Sequence, residues 1–341
     1  MVSLTEARTH NFNLKNLAPG LVAVFVGGTS GIGLYTAREF VRNTNAPHVY
    51  LIGRNQTEAT RIIEELNAIN PSSQVDFIKK DVSLLRNVDE ACKEITEKEK
   101  KVNLLFMTVG YFTFKGRDET SEGLDRKLSC HYYARMRFIS NFAPLLTAAA
   151  QDPEPKAALS RAVCVLDPSV GKKTAPNFSD LSLKSAFSLR SCSIHASAMQ
   201  NFALEHFAKE YPRTSFIHAF PSIVDTGVAR DAYGRFNTAF WIVGSVLFKP
   251  WMVEKKESGE RHLFAATAPR FAPRAKKEEV QDVAVGADDV KGSGAYHVNW
   301  DGEAMGDSKK MASMRAEGAE KKIWEHTEEV FRKICDEGGK Y

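Results

Sequence analysis

Between positions 22 and 33 the chain reads Val22-Ala23-Val24-Phe25-Val26-Gly27-Gly28-Thr29-Ser30-Gly31-Ile32-Gly33, an apolar run closed by spaced glycines and followed by helical alternation. This pattern reads as a strand, a tight turn and a helix. Gly27 suits the sharp exit from the strand, Gly31 the close approach of backbone to a pyrophosphate, and Gly33 tight packing of helix on sheet, with the phosphate charge at the helix N-terminus. A second apolar run, Val49-Tyr50-Leu51-Ile52-Gly53-Arg54, follows at the distance a strand-helix-strand unit needs. A glycine turn of purely structural use is the alternative.

About twenty residues beyond such glycines a carboxylate favours a free ribose 2′-hydroxyl and an arginine a 2′-phosphate. Arg54 stands there, with no carboxylate between Ile52 and Thr57, so NADP(H) is favoured over NAD(H). An arginine of a solvated loop is the competing reading.

A chain of 341 residues that is 43% hydrophobic can bury a substantial core. The net charge is only +4, with basic and acidic residues interspersed and no basic stripe interleaved with aromatics, which argues against nucleic acid. Five cysteines, Cys92, Cys130, Cys164, Cys192 and Cys335, are odd in number and not closely spaced, which suits unpaired thiols in a reducing, cytoplasmic compartment and no metal site. The start of the chain carries no signal pattern, and the longest apolar run, 239 to 248, is half a membrane span.

Strand-like runs near 22–27, 48–53, 75–79, 102–109, 161–167 and 214–219 alternate with helical stretches near 31–43, 56–69, 87–99, 121–149 and 191–209. The alternation specifies an α/β fold: a Rossmann-like, doubly wound parallel sheet in a single main domain. We divide the chain into a polar leader at 1–20, a dinucleotide-binding domain at 21–230, a lid or substrate segment at 231–275, and an extension at 276–341 packing on the main domain. The lid rests on Tyr233, Phe236, Phe240, Trp241, Phe248 and Trp251, for which core or dimer packing is the alternative. In the extension Ile323, Thr327, Val330, Phe331 and Ile334 recur at helical spacing.

Together, the Val26 to Gly33 loop, Arg54, Asp81-Val82, Glu122-Gly123-Leu124 and the stretch Phe220 to Thr226 resemble the short-chain dehydrogenase/reductase family over roughly residues 20–230. The chain as a whole is similar to members from fungal secondary metabolism. The resemblance implies that Asp81 and Val82 flank the adenine, and that Val224 and Thr226 approach the nicotinamide. The cofactor set is then Gly27, Ser30, Gly31, Ile32, Gly33, Arg54, Asp81, Val82, Val224 and Thr226. A hydrophobic small-molecule substrate and a helix-paired homo-oligomer are also implied.

The family's chemistry uses a tyrosine four residues before a lysine, a serine and an asparagine. Ser193 and Ser197 stand at the tyrosine and lysine positions, and between Ala186 and Glu210 there is no tyrosine and no lysine but Lys209. Leu166, Asp167 or Pro168 takes the serine position, depending on register, with Ser169 as a replacement; Cys130 takes that of asparagine, and the family's Asn-Asn-Ala-Gly is Met107-Thr108-Val109-Gly110. A serine hydroxyl cannot act as the tyrosine does. The candidates for a relocated acid are Ser169, Asp167, Tyr132, His131 and Lys172, with Tyr133 and Tyr111 beside them. For Tyr132 and Tyr133 a packed helix, and for Lys172 a solvated turn, are the plain alternatives, and His195 reads as a packed helix histidine. Three functions follow: an NADP(H)-dependent oxidoreductase of a hydrophobic carbonyl or alcohol, a non-redox isomerase or cyclase, and a catalytically silent binding subunit.

Overall fold

The computed structural model describes residues 1–111, 113–224 and 252–341. Its centre is a seven-stranded, wholly parallel sheet made of β1 (Val22–Val26), β2 (His48–Gly53), β3 (Gln74–Lys79), β4 (Leu104–Met107), β5 (Arg161–Val165), β6 (Ser215–Ala219) and, after a short parallel pair β7 (Ile223–Val224) and β8 (Met252–Val253), β9 (Ala295–Val298). The spatial order is β3-β2-β1-β4-β5-β6-β9. Strand order reverses between β1 and β4, and in such sheets the crevice beyond the carboxyl ends of the strands at that point is where ligands bind.

Parallel central strands are covered on both faces and therefore read as unbroken apolar runs. β1 is buried at all five residues; Val24 faces one core and its neighbour Phe25 the other. The flanking helices carry the 3.6-residue pattern: α2 (Gly31–Asn43), α3 (Gln56–Ile69), α4 (Leu85–Thr96), and α5 (Arg126–Leu128), which runs through a π-helical turn at Ser129–Tyr133 into α6 (Ala134–Ala150). α7 (Pro168–Lys173) and the long α8 (Leu189–Glu210) follow β5. The Rossmann-like doubly wound sheet expected from the alternation is thus the fold.

Three segments differ from the sequence reading. Residues 4–13 of the polar leader form a helix, α1 (Leu4–Asn13), with Asn11 donating to the Glu260 carbonyl at 2.8 Å. Within the segment read as a lid, α9 (Lys255–Thr267) packs on α2 as part of the layer that covers the sheet, and a side chain at Gly259 would stand 2.6 Å from the Tyr35 carbonyl oxygen. The six aromatic residues on which the lid rested lie outside the described residues. β9, absent from the six expected strands, arises in the extension and completes the sheet beside β6.

Beyond β9, α10 (Lys309–Ala316) and α11 (Ala319–Phe331) close the chain, followed by a π-helical turn at Arg332–Asp336. α11 buries Ile323, Thr327, Val330 and Phe331 against the face made by the 129–133 turn and α8, where Trp324 meets the Phe207 ring edge-on at 4.9 Å between centroids. No helix among the described residues is long and apolar enough to cross a membrane.

Candidate active site

The turn between β1 and α2 is closed around glycine. Gly27 has φ +87° and Gly31 φ +53°, left-handed conformations that a side chain strains. At Gly33 the limit is space: a Cβ there would stand 2.6 Å from the Gly27 carbonyl oxygen and 2.7 Å from Thr108 Oγ1. Ser30 caps α2 without a side-chain hydrogen bond to the first turn, and that turn holds no acidic residue. The orphan N–H groups at this helix end and the positive end of its dipole are therefore offered to an anion.

The other cofactor candidates collect on the same edge of the sheet. Arg54 follows β2, is exposed, and makes no hydrogen bond or ion pair with a described residue. Asp81 and Val82 follow β3: Asp81 accepts from the Ser83 N–H at 3.1 Å and faces Arg126, and Val82 is buried. Val224 ends β7 after Ser222, whose φ is +60°. Thr226 lies outside the described residues.

The catalytic candidates separate in space. Tyr132 is completely buried and its hydroxyl is shared with Thr327 Oγ1 of α11 at 2.7 Å; Tyr133 meets His326 Nε2 at 2.7 Å. Burial raises both phenols above their ordinary range. These two rings dock α11 and have no open path to a substrate. Asp167 caps α7, its carboxylate accepting from the Ser169 N–H at 2.8 Å. Lys172 donates to the Met305 and Gly306 carbonyls, each at 2.8 Å, and burial lowers its pKa. The Ser169 side chain is half-buried and its hydroxyl has no hydrogen bond among the described residues.

His131 is the candidate that borders the strand-end loops. Its Nε2 accepts the Tyr111 N–H at 3.3 Å, and a Cβ on Gly110 would stand 2.7 Å from that nitrogen, so the imidazole rests on the loop after β4 because residue 110 is glycine. Burial, and then the charges of Arg135 and Lys127, press its pKa down to about 3. The ring is neutral near pH 7. With Nε2 accepting, its proton sits on Nδ1.

The positions where the family keeps tyrosine and lysine are occupied differently. Ser193 is exposed, whereas Ser197 is buried, donating to the Asp167 carbonyl at 2.7 Å and accepting the Gly171 N–H at 2.8 Å. Cys130 is a buried thiol pushed up to about 12 by desolvation. His195 is buried, with Nε2 accepting the Asn177 N–H at 2.8 Å and Nδ1 3.1 Å from the Leu181 carbonyl, a packed helix histidine that pins the loop before α8. Sequence reasoning missed Arg135, which is buried beneath the ends of β4 and β5. A signal for it existed: within α6, Arg135, Ile139, Phe142 and Leu146 form one helical stripe in which only Arg135 is charged.

A doubly wound parallel sheet with a glycine-lined helix N-terminus at its switch point defines a Rossmann-like dinucleotide fold. Residues 21–151 match the family model for short chain dehydrogenase. An oxidoreductase of Emericella nidulans is 38% identical over 97% of this chain and 98% of its own length. One from Emericella variicolor is 32% identical over 98% of each, and a short-chain dehydrogenase/reductase of Stachybotrys chartarum is 28% identical over 90% of each. Among solved structures, the NADPH-bound carbonyl reductase from chicken fatty liver superposes with a TM-score of 0.56 at 17% identity, covering 85% of this chain and all (100%) of that one, a likeness of fold. The chain belongs to the short-chain dehydrogenase/reductase family of oxidoreductase enzymes.

Proposed function

We propose that this chain is an NADP(H)-dependent oxidoreductase acting on a hydrophobic carbonyl or alcohol, with His131 meeting the substrate oxygen where the family uses tyrosine. Arg54 carries the cofactor reading: an exposed cation at the end of β2, with no acidic residue between Ile52 and Thr57, suits a 2′-phosphate and disfavours a bare 2′-hydroxyl. The glycine turn supports a bound dinucleotide, since Cβ atoms at Gly27 and Gly33 would collide with Thr108 and with the turn's own backbone and spoil its close fit around a pyrophosphate. Gly27, Ser30, Gly31, Ile32 and Gly33 would hold the pyrophosphate, Asp81 and Val82 the adenine, and Val224 with Thr226 the nicotinamide end. When bound, NADPH supplies the hydride.

His131, neutral and protonated on Nδ1, is suited to donate a hydrogen bond to a carbonyl oxygen and to stabilise the charge that builds there, as oriented donors do in a water-poor site. The unengaged hydroxyl of Ser169 offers a second donor. Aromatic residues between 231 and 251 support a hydrophobic substrate, and the resemblance of the whole chain to family members from fungal secondary metabolism supports a role there. The five unpaired thiols suit a cytoplasmic location. A homo-oligomer, implied by the family, would form over faces other than the one α11 covers.

A second reading has one observation behind it: neither Ser193 nor Ser197 can supply an acid and base. An isomerase or cyclase that shapes its substrate by proximity would need none, and a silent binding subunit would need none either. Incubation with NADPH and extracts of a producing organism, followed by cofactor absorbance and product mass, separates them. Loss of reduced cofactor with a product heavier by two hydrogens supports the oxidoreductase; an isomeric product at constant NADPH overturns it. Arg54→Asp should abolish a preference for NADPH over NADH of at least about tenfold, and His131→Phe should lower turnover by about 10² or more.

A further inference from the structure

Arg135 is 1% exposed, and its hydrogen-bond partners are unusual for a buried cation. Nη1 donates to the Val165 carbonyl at 3.0 Å and to Gln200 Oε1 at 3.4 Å, and Nη2 donates to the Val109 carbonyl at 2.7 Å. Nε has no partner, and no carboxylate pairs with the guanidinium among the described residues. A cation buried without a counter-charge is costly, and an apolar side chain would complete the stripe of α6 more favourably.

The two carbonyls explain its use. The ladder between β4 and β5 stops at Met107 and Cys164, and Val165 and Val109 lie just past that point. Their oxygens point to no strand partner, and buried backbone acceptors need one. The planar fork of the guanidinium takes both at once, in a fixed geometry that an ammonium could not reproduce.

We propose that Arg135 is a positioning residue for the redox site: by bridging the Val109 and Val165 carbonyls it fixes the separation of the two loops that carry Gly110-Tyr111, on which His131 rests, and Asp167 to Ser169. The inference deepens the oxidoreductase reading and rests on it. It differs from a role in general stability because a second buried arginine provides a comparison. Arg161, at the opposite end of β5, is also buried and donates to the Ser160 carbonyl, far from any candidate group.

The test compares Arg135→Met, Arg135→Lys and Arg161→Met by amide hydrogen exchange, melting temperature, NADPH affinity and steady-state kinetics. In Arg135→Met, exchange at the amides of Val109 to Tyr111, Leu166, Asp167 and Ser169 should rise at least about tenfold above the change elsewhere. Turnover should fall roughly 30-fold or more while KM and NADPH affinity stay within about threefold, since the residues proposed for the pyrophosphate, ribose and adenine follow β1 to β3 and those for the nicotinamide end follow β6. Arg135→Lys, which keeps charge without the fork, should fold and show the same loop-specific exchange. Arg161→Met should lower the melting temperature with no such local effect. Unaltered loop exchange and turnover in both Arg135 variants, or an equal loss of turnover in Arg161→Met, overturns the proposal. A wild type that binds no nicotinamide cofactor overturns instead the oxidoreductase reading, and the exchange data still decide whether Arg135 holds the loops.

Discussion

Gly33→Ala is the substitution whose effect the structure specifies most fully. The new Cβ would stand 2.6 Å from the Gly27 carbonyl oxygen, 2.7 Å from Thr108 Oγ1 and 3.1 Å from the Gly27 carbonyl carbon. Two of these atoms are backbone in the β1 to α2 turn, and Thr108 Oγ1 is itself held near the Gly27 carbonyl at 3.3 Å. Against an optimal separation of about 3.5 Å the first turn of α2 has to retreat by nearly ~1 Å. Overpacking of this size costs ~1–3 kcal/mol, of which the better helix propensity of alanine returns at most about 1 kcal/mol. At about 1.4 °C per kcal/mol for a chain of 341 residues, the melting temperature should fall by roughly 1–3 °C. The larger effect falls on the anion, because the retreat moves the N–H groups that face it, and losing one charge-assisted hydrogen bond of ~1.5–3 kcal/mol weakens NADPH at least about tenfold. Titration calorimetry and thermal melts decide this, with Gly116→Ala as control, since nothing stands within 4 Å of that position. A Gly33→Ala protein with wild-type melting temperature and NADPH affinity within about twofold would refute the reasoning.

Tyr132→Phe should cost about 1 kcal/mol in urea unfolding and leave turnover within about twofold, because Thr327 Oγ1 keeps its bond to the Ile323 carbonyl; a hundredfold loss of turnover would make Tyr132 a catalytic residue. Ser193→Ala should be silent, whereas Ser197→Ala strands the buried Gly171 N–H and should cost ~1–3 kcal/mol by the same assay, with turnover in both within about tenfold. Acid should destabilise the fold early: burial holds His10, His262 and His326 at about 4, and His131 and His297 at about 3, all below the ordinary 6.5. The unfolded chain therefore binds more protons in this range, so the stability from these neutral rings is complete above pH ~6.5 and is lost as pH falls through the folded values, with uptake of about five protons on unfolding near pH 5. Melting curves that are flat from pH 7 to 5 would contradict it.

The six expected strands were legible because a parallel strand covered on both faces needs apolar side chains at every position, as β1 has. β9 offers only four residues, Ala295 to Val298, with His297 among them and Gly294 just before, and so presents no apolar run. α1 and α9 failed the periodicity test for a different reason. Their contact is polar: Arg8 pairs with Glu260, Asn11 donates to the Glu260 carbonyl, and Arg261 donates to the Val2 carbonyl at 2.9 Å. The N-terminal segment supplies partners that let α9 bury Glu260 and Arg261, and neither half of such a match is visible in its own sequence.

The same distinction divides the site. Pyrophosphate binding is imposed on the backbone, and backbone demands at Gly27, Gly31 and Gly33 leave a mark in residue identity that can be read directly. Proton chemistry depends on which neighbour a side chain meets. His131 and Tyr132 adjoin in the chain, yet within the π-helical turn one rests on the β4 loop and the other enters the core against α11. In a regular helix residues one apart already differ by ~100°, and a π-turn shifts that phase again, so the face each side chain takes cannot be counted forward from α5. Burial keeps His131 neutral, and a contact with Tyr111, twenty residues earlier, together with a glycine that leaves room for the ring, sets its proton on Nδ1. Arg135, four residues on from His131, holds that loop in place through the Val109 carbonyl. The tyrosine and lysine of the family are absent from α8, and the groups proposed to act on a substrate oxygen come from the 129–133 turn and the start of α7, reached by packing across the ends of β4 and β5.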